Sequence, residues 1–268
     1  MGLNSSTTKL HYSRSTLETI TMDTQFMRKM WNQRAKKDAF YYIESAFWDG
    51  NIEKFFALGE ERTQLILDPI LNEVNIDPQK SHILEIGCGV GRFSRSLSNR
   101  FQQVTAVDVS NEMINQARDL HQPTLYPNLD FQPTDGTSLG CIFSNSIDVV
   151  FSYEVFQHMP SPEIILKNLE EIRRVLRPQG IVYIHLMTNH GRFKKFIKKL
   201  LKQLIPQTVW QTLGFASLTF DSTWTGTSLS PKQIQEFCEA VNLKFIRLVD
   251  DPTHGSGDRV FLLATSAS

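Results

Sequence analysis

From about residue 78 the chain alternates short apolar runs with stretches of helical periodicity, and this alternation constrains the fold more than any other feature. His82-Ile83-Leu84-Glu85-Ile86 is a run of strand length, stopped by Gly87. A helical stretch over about 92–100 follows, and Val104-Thr105-Ala106-Val107-Asp108 reads as a second strand. A helix over 111–120, opened by Ser110 as N-cap, leads to a weaker strand at 129–132 and a fourth at 147–151. The helix predicted over 163–176 ends at Arg177-Pro178-Gln179-Gly180, and 181–186 is a fifth strand. Such spacing means βαβ units, which force a parallel sheet with helices on both faces. Ser230-Pro231 opens one more helix, to about 240. Strands near 244–249 and 259–263 close the chain with no helix between them, which predicts antiparallel neighbours.

The sequence outside this frame divides into three parts. Residues 1–22 are small and polar without apolar period, as expected of a disordered tail; Met1-Gly2-Leu3-Asn4-Ser5-Ser6 fits the short myristoylation pattern. Residues 23–77 read as an N-terminal helical cap: Phe26, Met30, Ala35, Ala39, Tyr42, Ile43 and Phe47 recur at helical spacing, and a second helix over about 60–74 carries Leu65, Ile66, Ile70 and Leu71. The main domain is then 78–268, interrupted by an insertion at 188–227 placed to act as a substrate lid. In that insertion Phe193, Phe196, Ile197, Leu200, Leu201 and Leu204 share one helical face and lysines the other; a helix of this kind, near 192–204, is suited to peripheral contact with an anionic membrane or to covering the site. Trp210 and Trp224 add aromatic surface to it.

Lys plus Arg and Asp plus Glu both number 28, so no global field draws the chain to nucleic acid or acidic lipid. Three cysteines, none in a C-x-x-C pair, argue against a disulfide framework and a zinc site. With no spanning apolar run and no secretory signal pattern, a reducing cytoplasmic location is the expectation.

The chemistry concentrates in Glu85-Ile86-Gly87-Cys88-Gly89-Val90-Gly91-Arg92, between the first strand and the first helix of the sheet. Glycines there let backbone approach a ligand at the carboxyl ends of the strands. A dinucleotide loop, G-x-G-x-x-G, fits poorly: its third glycine would fall on Arg92 or Ser94 in the two registers. Glu85 suits a ligand carrying an ammonium better than a pyrophosphate. Asp108, at the end of the second strand, is placed for ribose hydroxyls, a feature that nicotinamide cofactors share.

These residues, with Val107-Asp108-Val109-Ser110, Met113, Ala117, Thr134-Asp135-Gly136, Asp148-Val149-Val150-Phe151-Ser152-Tyr153 and Arg174-Val175-Leu176-Arg177-Pro178-Gln179-Gly180, resemble the class I S-adenosylmethionine-dependent methyltransferases in order and spacing. The resemblance covers about 80–187. It implies a doubly wound α/β fold with a mostly parallel seven-stranded sheet, the last strand antiparallel. It also implies roles: Gly87, Gly89 and Gly91 along the methionine part of S-adenosylmethionine, Glu85 toward its ammonium, Asp108 on the ribose, and Val109 and Met113 on the adenine. Asp135 and Gly136 would lie by the adenine amino group, and Tyr153 near the sulfonium.

The methyl of a sulfonium is already activated, so the protein has to align a nucleophile and exclude water. Ser152-Tyr153-Glu154-Val155-Phe156-Gln157-His158 should face the acceptor, with His158 the general-base candidate by chemistry; Glu154 and His185 are weaker ones. The loop lacks the Asn- or Asp-Pro-Pro-aromatic sequence of methyltransferases acting on nucleobase amines, which points to a small-molecule acceptor: a sugar or glycan, a quinone or lipid, or a secondary metabolite. A non-catalytic S-adenosylmethionine-binding module of the same fold is the alternative. Trp31, Arg34, Tyr41, Tyr42 and Trp48 make the N-terminal helices candidates for contact with cofactor or acceptor.

Overall fold

A computed structural model of the chain describes residues 12–189, 226–254 and 257–266. Three helices, α1 (Arg14–Ile43), α2 (Ile52–Ile66) and α3 (Asp68–Glu73), precede the sheet. Then come β1 (His82–Ile86), α4 (Arg92–Ser98), β2 (Gln103–Asp108), α5 (Asn111–Leu120), β3 (Leu129–Pro133), β4 (Ile147–Ser152), α6 (Pro162–Val175) and β5 (Leu176–Met187). After the insertion the described chain resumes with α7 (Pro231–Ala240), β6 (Leu243–Asp250) and β7 (Arg259–Ser266). The sheet has seven strands in the order β3-β2-β1-β4-β5-β7-β6. β1 to β5 pair in parallel, and β7 runs antiparallel to both β5 and β6. The strand order reverses between β1 and β4, which opens a crevice at their carboxyl ends.

Side-chain alternation splits the core into two layers. Leu84, Ile86, Val107, Val150, Val182, Ile184 and Leu262 pack on one face against α6 and α7 residues such as Ile165, Leu169, Ile172 and Ile234. Ile83, Val104, Val149, Phe151, Tyr183, Phe261 and Leu263 pack on the other with Phe93 and Leu97 of α4 and Ile70 and Leu71 of α3. The same alternation puts Glu85 on the α4 side, where Ser94 meets it.

Residues 14–22 depart from the disorder predicted for 1–22. Ser13 caps Thr16 N, and Ile20, Thr24 and Met27 form one buried helical stripe, so a segment that looks polar by composition is anchored at a few positions. Phe26, expected on the inner face, lies on the opposite face and is exposed. Leu65 is likewise exposed, and the helix predicted to begin near 60 begins at Ile52 and breaks before Asp68-Pro69. The last strands are longer than the sequence suggested. The predicted basic helix at 192–204, Trp210, Trp224 and the myristoylation pattern lie outside the described residues.

Two local features aim the N-terminal helices at the crevice. α1 kinks at Asp38, whose carboxylate accepts from Tyr41 N (2.9 Å) and Trp48 Nε1 (3.1 Å), swinging Tyr42, Ile43 and Glu44 inward. α2 crosses α4 at Gly59, where a Cβ would come within 2.3 Å of the Arg92 carbonyl. That close approach brings Arg62 and Arg92 to a common partner, Glu44.

Candidate functional site

The β1–α4 turn is built from left-handed glycines: Gly87, Gly89 and Gly91 have φ of 77°, 56° and 87°. Its backbone is tied to β2, with Gly87 N and Cys88 N both donating to Val107 O and Gly89 N donating to Asp108 Oδ2 at 2.9 Å. Asp108 Oδ1 accepts from Ser110 N at 2.8 Å, so one carboxylate joins the loop to the start of α5. Ser110 in turn caps Met113 N, as the sequence predicts.

This loop forms one wall of a cavity of about 410 Å³. Glu85, Gly87, Gly89, Asp108, Val109, Met113, Gly136 and Tyr153 line it. Glu85 is buried and accepts from Ser94 Oγ at 2.5 Å; burial pushes its carboxyl up to about 7, against the opposing pull of Ser94 and Arg92. Burial also raises the Asp108 carboxyl, opposed by the loop N–H groups. A site that holds two carboxyls poised to ionise is prepared for a cation or for hydroxyl donors.

The opposite charge stands close by. Arg62 and Arg92, both buried, share Glu44, with Arg62 Nη1 at 2.5 Å from Glu44 Oε2 and Arg92 Nη1 on the same oxygen. Two guanidiniums against one carboxylate leave a surplus positive charge. Arg92 Nε is buried with no hydrogen-bond partner among the described residues. Burial and the neighbouring Arg62 both lower the Arg92 pKa. An anionic group at this spot would satisfy the orphan donor.

A family model described as a methyltransferase domain matches residues 84–184. Among curated proteins, the ubiquinone biosynthesis O-methyltransferase of Xanthomonas axonopodis pv. citri is 25% identical over 154 residues, 56% of this chain and 60% of the relative. That of Xanthomonas oryzae pv. oryzae is 27% identical over the same share of each chain. The aligned region thus spans under two thirds of these relatives' length. Among solved structures, magnesium protoporphyrin IX methyltransferase from Synechocystis, crystallised with bound S-adenosylhomocysteine, superposes with a TM-score of 0.65 at 18% identity, covering 91% of this chain and all of that one. A methyltransferase from Methanosarcina mazei gives 0.56 at 21% identity, covering 75% and 99%. Residues 84–184 thus carry a methyltransferase domain, on a sheet whose fold these solved structures share.

Not every residue that the resemblance implies reaches the cavity. Gly91 does not line it: a Cβ there would meet His121 and Phe131, so this glycine lets the loop pass a ring pair. Asp135 is exposed, and its Oδ1 accepts from Thr137 N and Ser138 N, both at 2.7 Å, in a turn that presents its neighbours Thr134 and Gly136 to the cavity instead. His185 lies fully buried behind Tyr153, its Nε2 at 3.3 Å from Asp251 Oδ2, and does not line the cavity. His158 does line it, edge-on to Trp31, with burial holding its pKa down to about 4. Trp31 and Tyr42 line it with Arg34 stacked over both rings, whereas Trp48 packs on Phe40 and Tyr41 is exposed.

Sequence reasoning missed Glu44, Arg62, Thr253, His254 and Arg259, all of which line this cavity. They come from segments far apart in the chain, from Glu44 to Arg259, and belong to no local motif. The Asp251-Pro252 step before β7 was the available signal, a turn opener beside the sheet's edge. No helix among the described residues is long and apolar enough to cross a membrane.

Proposed function

We propose that this chain transfers the methyl group of S-adenosylmethionine to a hydroxyl oxygen of a small-molecule acceptor. The observation that carries the reading is the buried pairing of charges around one glycine loop: Glu85 and Asp108 on the strand ends, Arg62 and Arg92 across from them. S-adenosylmethionine presents matching groups, an ammonium, a carboxylate and ribose hydroxyls, and it brings the activated methyl. Glu85 receives the ammonium, the unpartnered Arg92 Nε and Arg62 receive the carboxylate, and Asp108 accepts from the ribose while Gly89 N keeps it oriented. Val109 and Met113 offer an apolar wall for the adenine, with Gly136 leaving room beside it.

Oxygen as the methylated atom is supported by the names of the curated relatives, which are O-methyltransferases. The side of the cavity beyond Tyr153 is polar, with Glu154, His158, Thr253, His254 and Arg259, and suits a hydroxylated acceptor better than a purely apolar one. The test is to incubate the protein with methyl-labelled cofactor and a panel of hydroxylated aromatics, sugars and quinols. Label transferred to at least one acceptor is the expected result. Cofactor binding without transfer to any of them would favour a non-catalytic module.

A further inference from the structure

The acceptor side of the cavity holds a hydrogen-bonded chain that begins at a buried carboxylate. Asp251 is 3% exposed. Its Oδ1 accepts from Thr253 N (2.8 Å) and Thr253 Oγ1 (2.7 Å), and its Oδ2 lies 2.8 Å from His254 Nδ1. Burial alone would raise this carboxyl, but bonds from His185, Thr253 and His254 together hold it well below the usual carboxylate range, so it is ionised. An ionised carboxylate against Nδ1 fixes the proton on that nitrogen and leaves Nε2 as an acceptor. Nε2 indeed takes a bond from Arg259 Nη1 at 2.6 Å. Arg259 is itself held by Glu154, a non-glycine residue at φ 59° in the loop after β4. Left-handed backbone at such a residue is unfavourable and persists where the surroundings impose it.

Resting on the O-methyl transfer proposed above, we propose that His254 is the general base for a phenol-type acceptor hydroxyl, with Asp251 as its positioning residue and Arg259 as the cation that holds the developing oxyanion. A hydroxyl entering between His254 Nε2 and Arg259 Nη1 donates to the first and accepts from the second, replacing their direct contact. Its proton passes to Nε2 and its lone pair forms the new C–O bond. The C–S bond breaks with its electrons going to sulfur, leaving a neutral thioether, a methyl ether and an imidazolium beside Asp251. The imidazolium returns the proton to solvent, since His254 is only partly covered.

The acceptor class follows from acidity. An imidazole base can take a proton from a phenol near 10 with help from a cation, but is poorly matched to an aliphatic hydroxyl near water's 15.7. His158, the histidine first suggested by the sequence, is less suited: burial, together with Arg34 and Arg259, outweighs the pull of Glu154 and makes it a weak proton acceptor.

The probe is 4-nitrocatechol, whose colour reports ionisation of its hydroxyl. It is titrated into the protein saturated with S-adenosylhomocysteine, at a pH where the free probe is mostly neutral. The expected result is saturable binding with the absorbance of the ionised form, and at least a tenfold loss of affinity or reversion to the neutral spectrum in His254→Gln. Arg259→Met should give the same loss. Asp251→Asn should bind the probe with less ionisation, a readout that a purely structural residue would not move selectively. No binding, binding as the neutral phenol, or an unchanged spectrum and affinity in His254→Gln would overturn the proposal. Calorimetry with S-adenosylhomocysteine alone separates the two readings: failure there removes the cofactor site and this proposal with it, whereas success followed by a silent probe removes the proposal alone.

Discussion

The cofactor wall and the acceptor wall of the cavity are built by different means. The cofactor wall is mainly backbone: the two glycines Gly87 and Gly89, two strand ends and one helix cap, held by N–H groups that donate to Val107 and Asp108. The acceptor wall is side chains brought in from afar, Glu44 from the end of α1, Arg62 from α2, Glu154 from the loop after β4, His254 from the β6–β7 turn, where buried Asp251 backs it, and Arg259 from the start of β7. A wall of backbone tolerates little variation in conformation. A wall of paired side chains can change its chemistry by substitution while the sheet stays the same. Between the two sits the Glu44–Arg62–Arg92 cluster, which belongs to both.

The hardest way to break the comparison is at that junction. Glu44→Gln leaves two buried guanidiniums without their carboxylate, and about 3–5 kcal/mol of stability should be lost in urea denaturation. A loss below 1 kcal/mol would mean that water already screens the cluster. On the cofactor wall, Asp108→Ala removes the acceptor of the Gly89 and Ser110 bonds and the proposed ribose contact. Hydrogen bonds to a charged group are worth about 1.5–3 kcal/mol each, so affinity for S-adenosylhomocysteine should fall by roughly a hundredfold in a calorimetric titration. Gly87→Ala tests the backbone itself. Its φ of 77° and a Cβ placed 2.2 Å from Val155 Cγ2 should cost about 2 kcal/mol, read as a lower melting temperature. The smallest effect concerns Glu85. Its carboxyl is raised to about 7 in the folded chain, so the relative stability it gives is present below its ordinary value and is lost as pH rises through 7. In the ligand-free protein, Glu85→Gln should therefore be neutral at acid pH and raise the melting temperature above pH 7. A gain that is the same at every pH would sever the effect from ionisation.

The same contrast explains what could be read before the fold was known. The glycine loop, Asp108, Ser110 and the parallel strands announce themselves because each is a contiguous pattern governed by local conformation and hydrophobic period. Gly91 and Asp135 show the limit of that reading: both match the family pattern, yet one accommodates His121 and Phe131 and the other closes a turn. Ile20 and Met27 are too sparse an apolar stripe to mark 14–22 as helix until the sheet is there to receive them. The acceptor wall is illegible for a plainer reason. Arg62 and Arg92 look like surface arginines until Gly59 lets α2 and α4 touch, and His254 becomes special only once Asp251 is buried beside it.

The central claim is that the ammonium of a methylsulfonium nucleoside, or of its demethylated product, sits against Glu85. Calorimetry of S-adenosylhomocysteine binding at pH 7, in two buffers of different ionisation enthalpy, tests it directly. With a carboxyl near 7 that must ionise to meet the ammonium, the account predicts one-to-one binding with release of about half a proton. No heat, or binding that takes up protons, would contradict it.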